Sequence, residues 1–331
     1  MQELAKRSVF SKGKFHNTEE LPVMLPGSYL KLIRESRKNR GKRKPGGRIP
    51  STKPVFTHSV ADSSCSVIWL GHSMSLIRVS GITILTDPVF SKRASPVSFS
   101  GPQSFKLENP LHPEDLPKPD IILISHDHFD HLDHKTIRDH FNEVSTFLVP
   151  LGLRDHLERW GIRPEQIREF DWWEEAMITD KLSIVATPAQ HFSGRRRQDN
   201  HTLWCSWVIR GAGVKLYFSG DTGYGDHFRA IGNKFGPFDL ALMECGAYGK
   251  YWPNIHMKPE ETVQASEDIR ASAVLPIHWG KFNMAFHPWK EPIQRFITAS
   301  EIHKVNYTTP LIGEQIIIGS PLPKKTWWDK F

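Results

Sequence analysis

The amino-acid sequence predicts an α/β protein whose strands carry polar side chains to one edge of a sheet. Short, uninterrupted apolar runs rich in β-branched residues are typical of buried strands and recur along the chain, as at residues 121–124. Several of these runs end directly at histidine or aspartate. The length fits such a fold, because 331 residues with 39% hydrophobic side chains can bury one core of αββα size with extensions, or two smaller domains.

Residues 1–60 are predicted to form a basic, irregular arm that wraps a domain made of residues 61–331. Residues 1–54 contain 14 Lys or Arg and 4 Glu, whereas the whole chain has a net charge of +7, so the remainder is slightly acidic. A high positive charge can indicate nucleic-acid binding, but here the charge belongs to the arm, where such runs are usually solvated. The sequence therefore predicts no specific nucleic-acid partner.

Three short strands at residues 66–70, 75–79 and 81–85 are predicted to form an antiparallel meander, because short turns separate them. His72 follows the first strand and Asp87 follows the third. His72 is interpreted as a residue that packs or hydrogen-bonds near a site, although it could be a ligand. Asp87 is interpreted as a partner that orients a ligand imidazole through its free N–H.

The segment HDHFDH follows the strand at residues 121–124. Imidazole and carboxylate are ligands that zinc and its neighbours prefer, whereas magnesium and calcium prefer oxygen alone. His126 and His128 are two residues apart in an extended chain and can bind one ion from the same side. Asp130 and His131 follow along the turn and can hold a second ion. The sequence therefore predicts a site for two metal ions, with zinc preferred and iron or manganese as replacements.

The rest of the chain alternates strands with two predicted helices. The helices are expected at residues 135–141 and 153–160, the second ending at Gly161. The strands are expected at residues 145–149, 168–170, 182–188, 203–208, 214–218, 239–243 and 273–277.

Four separate strand ends supply candidate metal ligands. These are His126, His128, Asp130, His131, His191, Asp221 and His278. Because a sheet gathers the carboxyl ends of its strands along one edge, residues remote in sequence can converge there. Asp221 lies among small residues in the segment SGDTG, where a carboxylate can approach and bridge two ions.

These residues resemble the ligand pattern of the metallo-β-lactamase superfamily. HDHFDH matches the HxHxDH motif of that superfamily, and His191, Asp221 and His278 follow it in order. Across about residues 60–285, flanking segments resemble more narrowly the N-acyl-phosphatidylethanolamine-hydrolysing phospholipase D family. These segments include residues 68–72, 85–88, 171–174, 220–224, 246–248 and 277–280.

The resemblance implies an αββα sandwich, with two mixed sheets flanked by helices and a dizinc site at one edge of a hydrolase domain, residues 61–331. One zinc ion would be held by His126, His128 and His191, the other by Asp130, His131 and His278, with Asp221 bridging. A hydroxide shared by the ions would attack phosphorus. The candidate catalytic residues are Asp130 and His256, and His256 would bind phosphate or protonate the leaving oxygen.

The expected activity is that of a zinc-dependent phosphodiesterase of phospholipase D type. Its substrate would be N-acyl-phosphatidylethanolamine or a related glycerophospholipid. The alternative keeps the metal site but changes the bond, as in a lactonase or another ester hydrolase acting on a small soluble substrate.

The remaining expectations concern location and assembly. Three distant cysteines, Cys65, Cys205 and Cys245, fit a reducing compartment, and neither a secretory signal nor a membrane-spanning apolar stretch is recognised. We therefore expect a cytoplasmic protein. Basic and aromatic residues near the chain ends suit peripheral membrane contact, and the sequence is compatible with a homodimer.

Overall fold

The computed structural model describes residues 7–56, 65–195 and 199–331. The α-helices in these ranges are α1 (Tyr29–Glu35), α2 (His134–His140), α3 (Arg154–Arg159), α4 (His227–Phe235), α5 (Pro259–Asp268) and α6 (Glu291–His303). The strands are β1 (Val9–Ser11), β2 (Lys14–His16), β3 (Cys65–Trp69), β4 (Ser75–Val79), β5 (Ile82–Thr86), β6 (Ile121–Leu123), β7 (Thr146–Pro150), β8 (Ile167–Phe170), β9 (Glu175–Thr179), β10 (Leu182–Thr187), β11 (Ser206–Gly211), β12 (Val214–Phe218), β13 (Leu240–Glu244), β14 (Val274–Ile277) and β15 (Gln315–Ile317).

Two large mixed sheets form the centre of the fold. The first has the strand order β15-β3-β4-β5-β6-β7-β8, and the second has the order β14-β13-β12-β11-β10-β9. In the first sheet, β3 to β5 form the predicted antiparallel meander and β5 to β8 run parallel. In the second sheet, β9 to β12 are antiparallel and β12 to β14 run parallel. Within each parallel run, the carboxyl ends therefore share one edge.

Side-chain alternation along the first sheet separates two hydrophobic layers. In β6, Ile121 and Leu123 belong to the core shared with the second sheet, which includes Trp207. Ile122 points to the other side and packs in a separate cluster with Ile137 of α2. Helices α4 to α6 also contribute apolar side chains to the larger core. The predicted αββα sandwich is confirmed.

Some elements differ from the sequence prediction. The strand expected at residues 203–208 is β11, which begins three residues later, because the N–H of Leu203 donates to Leu151 outside the ladder of β11. Strands β9 and β15 and helices α4, α5 and α6 were not predicted, and the arm predicted to be irregular contains strands β1 and β2 and helix α1. Helix α5 shows why: the side chains that it buries include Thr262, Ala265 and Ser266, so its apolar periodicity is weak.

The described N-terminal residues 7–56 contact the sandwich at several points. They contain the hairpin β1–β2 and helix α1, and the N–H of Thr52 donates to the backbone oxygen of Ile312 at 2.8 Å. The predicted domain boundary at residue 60 lies outside the described residues and stays a prediction. Among the helices of the described ranges, none is long and apolar enough to cross a membrane.

Candidate metal centre

Three imidazoles form a first group, here called the histidine cluster. His126 and His128 follow β6, and His191 follows β10. Nε2 of His126 lies 2.9 Å from Nδ1 of His128, and Nε2 of His191 lies 3.2 Å from the same Nδ1 atom. The three rings therefore direct nitrogen atoms at a space suited to one metal ion.

A second group combines imidazoles and carboxylates and is here called the mixed cluster. It contains Asp130, His131, Asp221 and His278, which come from the loop after β6 and from the ends of β12 and β14. Oδ2 of Asp221 lies 3.1 Å from Nε2 of both His131 and His278. Oδ2 of Asp130 lies 3.4 Å from Nε2 of His278. This geometry suits a second ion.

Asp221, a member of the mixed cluster, also approaches the histidine cluster. Its Oδ2 is 3.8 Å from Nε2 of His126 and 4.0 Å from Nε2 of His191, in addition to its contacts in the mixed cluster. This position is the one that a bridging carboxylate requires. The structure thus brings together all seven residues that the sequence predicts as metal ligands, while their roles as ligands stay predictions.

Left-handed backbone conformations shape the mixed cluster. His72, Asp87 and His278 have φ values of 56°, 36° and 64°, which non-glycine residues rarely adopt. The N–H of His72 donates to the backbone oxygen of Trp279 at 2.9 Å, and the N–H of His278 donates to that of His72 at 3.0 Å. Two chain segments that are remote in sequence therefore support each other's unusual turns, as is common at functional sites.

Further polar residues orient the candidate ligands. Nδ1 of His131 donates to Oδ2 of Asp87 at 2.7 Å, so the contact predicted for Asp87 is present. Nδ1 of His191 donates to the backbone oxygen of Ile255 at 2.9 Å. Nε2 of His72 lies 2.9 Å from Oδ2 of Asp130, in agreement with its interpretation as a hydrogen-bonding neighbour. These contacts leave Nε2 of His131 and His191 free to face a metal ion.

The chemistry of the donor set fits metal ions. Burial lowers the pKa of His128 and His191 to about 3, so both rings are neutral at pH 7, as metal ligands must be. Oδ1 of Asp221 is buried and makes no hydrogen bond with any described residue, and the buried Nε2 of His131 makes none either, although it lies 3.1 Å from Oδ2 of Asp221. Buried polar atoms without a partner are costly, and a cation between these groups would satisfy them.

Glu244 is a site residue that the sequence analysis missed. It ends β13, it is fully buried, and its Oε2 lies 3.1 Å from Nδ1 of His256. Its Oε1 accepts from the N–H of Met257 at 2.7 Å. Burial, with the nearby charge of Asp221, raises the pKa of Glu244 well above its usual range. The available signal was an acidic residue at the end of the predicted strand 239–243, but nothing in the sequence connects it to His256.

A sequence model described as the beta-lactamase superfamily domain matches residues 83–279, which is more than half of the chain. The chain belongs to the metallo-β-lactamase superfamily. Within this superfamily, it is 37% identical over 252 residues to N-acyl-phosphatidylethanolamine-hydrolyzing phospholipase D 1 of Caenorhabditis elegans. The aligned region covers 71% of this chain and 70% of that protein. It is also 43% identical over 289 residues to an uncharacterized protein of Mycobacterium tuberculosis, and that aligned region covers 86% of this chain and 77% of that protein.

A solved structure of another protein shares this fold. Igni18, a metallo hydrolase from Ignicoccus hospitalis, superposes with a TM-score of 0.58 at 21% identity, covering 78% of this chain and 100% of that chain. At this identity the likeness concerns the fold alone. The matched superfamily domain and the sequence relatives show that the chain is a metal-dependent hydrolase close to the N-acyl-phosphatidylethanolamine-hydrolysing phospholipase D family.

Proposed function

We propose that this chain is a zinc-dependent phosphodiesterase of phospholipase D type that hydrolyses N-acyl-phosphatidylethanolamine or a related glycerophospholipid. The observation that carries the proposal is a cavity of about 480 Å³ beside both clusters. Its polar lining residues, here called the polar wall, are His128, Asp130, Arg195, Asp221, His256 and His278. Its apolar wall is formed by Val23, Met24, Phe192, Trp252, Ile255 and Met284.

The two walls suit an amphipathic substrate. A phosphodiester placed against the polar wall would lie next to the candidate metal ligands, while hydrocarbon would lie against the apolar wall. A small polar substrate would leave much of that apolar surface exposed to water. The name of the Caenorhabditis elegans relative supports the same substrate class.

His256 is the candidate that binds phosphate or protonates the leaving oxygen. Its side chain is 12% exposed and lines the cavity, while Nδ1 faces the buried carboxylate of Glu244. Burial lowers the pKa of His256 to about 4. Held in this way, the ring can present Nε2 to a phosphoryl or leaving oxygen. Two zinc ions, when bound, would supply Lewis-acid polarisation of the phosphoryl group and acidify a water molecule.

Arg195 supports the loop that carries four of the candidate ligands. Its Nη1 donates to the backbone oxygens of Asp127 and Leu132 at 2.6 and 2.9 Å. Its guanidinium also lies 4.1 Å from the ring centre of Phe129. These contacts hold both ends of the loop against the cavity wall, so the ligands are positioned before substrate arrives.

We further propose a peripheral contact with an anionic lipid surface beside this cavity. Leu21, Met24 and Leu25 are 39%, 40% and 38% exposed, and Met24 lines the cavity. Lys31 and Arg34 of the nearby helix α1 are exposed as well. Apolar side chains with adjacent cations favour anionic bilayers. Co-sedimentation with anionic vesicles should occur at low salt and decrease at high salt, and its absence at low salt would contradict the contact.

The activity is tested by measuring turnover on two substrates under the same conditions. One is N-acyl-phosphatidylethanolamine in mixed micelles, and the other is a soluble acyl-homoserine lactone. The protein is assayed after chelation, after reloading with zinc, and as the His126→Ala variant. We expect zinc-dependent release of phosphatidic acid from the lipid, and loss of this release in the variant.

Each other outcome leads to a definite conclusion. Lactone opening without lipid cleavage would retain the metal centre but overturn the phospholipase proposal in favour of a lactonase. Lipid cleavage that survives both chelation and His126→Ala would overturn the metal mechanism. Reloading with iron or manganese in parallel tests whether zinc is the ion that supports the highest turnover.

A further inference from the structure

The N-terminal segment reaches the metal centre through Asn17. This residue follows the hairpin strand β2 and lies outside the matched superfamily domain. Its side-chain Nδ2 donates to the backbone oxygen of His191 at 2.8 Å, and its Oδ1 accepts from the backbone N–H of His191 at 3.0 Å. One carboxamide therefore binds both backbone polar groups of a candidate metal ligand.

His191 needs such support because it lies beyond the end of its strand. The ladder of β10 ends at Thr187, so the backbone of His191 is past the region where neighbouring strands hold it. The ring is held separately, since Nδ1 donates to the backbone oxygen of Ile255. With its backbone bound by Asn17 and its ring bound by Ile255, His191 is restrained at both ends of the side chain.

The carboxamide of Asn17 is itself fixed in orientation. Nε1 of the buried Trp204 donates to Oδ1 of Asn17 at 3.0 Å, which identifies that atom as the oxygen and leaves Nδ2 for the carbonyl of His191. A reversed amide would place donors against both Trp204 and the N–H of His191. The contact therefore has one favourable orientation.

The chain on each side of Asn17 is anchored to the sandwich. On one side, the N–H of Phe15 donates to the backbone oxygen of Asn200 at 2.8 Å. On the other, Nδ2 of Asn254 donates to the backbone oxygen of Pro22 at 2.9 Å, and the N–H of Leu25 donates to that of Tyr251 at 2.8 Å. Asn17 is thus placed by its own segment and does not depend on His191 alone for its position.

We propose that Asn17 is a positioning residue of the metal centre, which holds His191 so that Nε2 completes the histidine cluster. The N-terminal segment of residues 15–25 then contributes to the site in two ways, since it positions His191 through Asn17 and also supplies Met24 to the cavity wall. This inference rests on the proposed ligand role of His191. It is independent of the substrate.

The test compares two chemically identical substitutions. In Asn17→Asp, the carboxylate keeps the acceptor for Trp204 but places an oxygen against the backbone oxygen of His191, which removes a hydrogen bond and adds repulsion. Asn109→Asp is the matched control. Nδ2 of Asn109 donates to the backbone oxygen of Ser51, so this pair also joins the N-terminal region to the sandwich, but it lies outside the clusters and the cavity.

Metal retention is the main measurement. Both variants and the parent protein are loaded with zinc, exposed to a series of chelator concentrations, and analysed for zinc per chain. We expect Asn17→Asp to bind one of the two ions about 10- to 100-fold more weakly, as is typical when a residue that orients a metal ligand is replaced. Asn109→Asp should match the parent. Equal retention in all three proteins, or equal loss in both variants, would overturn the proposal.

A second measurement needs no variant. In the parent protein, hydrogen exchange at the backbone N–H of His191 should be protected, because that group donates to Asn17. Exchange as fast as at exposed loop amides would overturn the proposal even if Asn17→Asp did not fold. Neither measurement involves a lipid or lactone, so failure of the proposed function would leave this result intact, and the reverse also holds.

Discussion

The histidine cluster and the mixed cluster are neighbours with different supports. In the histidine cluster, the ring of His191 donates to a neutral backbone oxygen. In the mixed cluster, the ring of His131 donates to the carboxylate of Asp87, and Asp130 and Asp221 are members themselves. Negative charge is therefore concentrated at one of the two candidate metal positions.

This difference indicates that different interactions would hold an ion at each of the two positions. The neutral imidazoles of the partly buried His128 and the buried His191 can bind only through nitrogen lone pairs. The mixed cluster adds Coulomb attraction, which is stronger in a buried setting than in water. Burial alone would lower the pKa of His278, but the charge of Asp221 and hydrogen bonds to Asp130 and Asp221 raise it to about 10. Substitution of a carboxylate should therefore affect the mixed cluster first.

The largest effect is expected at Asp221, because its carboxylate contacts both clusters. Asp221→Asn removes the charge and should lower turnover by more than about 100-fold, since residues one step removed from a metal already account for about 10- to 100-fold. Zinc per chain, measured by atomic emission, should fall as well. The control is Asp239→Asn, where Oδ2 accepts from the N–H of Lys215 next to the opposite end of β13. A variant with full zinc and full turnover would show that Asp221 is not shared.

The next effect is expected at Glu244. Its Oε1 must accept from the N–H of Met257, so Glu244→Gln would present an NH₂ group to Nδ1 of His256. In this variant, Nε2 of His256 can still donate a hydrogen bond to a phosphate, but glutamine has no acidic proton to give to Nδ1 when Nε2 transfers its own proton to the leaving oxygen. We expect kcat to fall about 100-fold, the lower part of the range for general acid catalysis, with KM nearly unchanged. A change confined to KM would contradict proton transfer and favour phosphate binding.

Much of the centre could be predicted because its signals are local. Residues 121–124 are an uninterrupted apolar run, and HDHFDH follows at once, so strand and ligands are visible in one short stretch. His191, Asp221 and His278 repeat the same arrangement at other strand ends. The sheet topology brings these strand ends together, since the parallel strands of each sheet end at the edge where these residues meet.

The residues that were missed depend on contacts that no local pattern records. Asn17 lies in a polar stretch where asparagine is typical of an ordinary turn, and its partner is 174 residues away. Glu244 ends an apolar run, but its contact with His256 depends on the path of the loop between them. The same reasoning explains β11: Leu203 is buried and apolar, yet burial does not require a place in the ladder.

A moderate effect is expected at Asp87, which contacts the mixed cluster directly through His131 and reaches His126 of the histidine cluster only through the hydroxyl of Ser125. Asp87→Asn replaces the charged acceptor of His131 and should weaken one ion by about 10- to 100-fold while the other ion is retained. Zinc titration monitored by calorimetry would show one affected binding step. The control is Asp120→Asn, since Asp120 also accepts a backbone hydrogen bond, from Thr83 at 2.8 Å, but contacts no member of either cluster. Equal weakening of both ions would contradict this prediction and would show that the path through Ser125 to His126 supports the histidine cluster as strongly as the direct contact supports His131.

The smallest effect is expected at His72, and it decides which residues belong to the mixed cluster. His72 and His278 both have left-handed backbone conformations and both approach Oδ2 of Asp130, at 2.9 and 3.4 Å. Asparagine tolerates this conformation better than most residues, so His72→Asn and His278→Asn are matched substitutions with little added strain. If His72 only donates a hydrogen bond, its variant should keep both ions and lose less than about 10-fold in turnover, since a hydrogen bond contributes roughly 1 kcal/mol. The His278→Asn variant should lose an ion. Loss of an ion in both variants would make His72 a ligand and extend the mixed cluster to the first strand end of the chain.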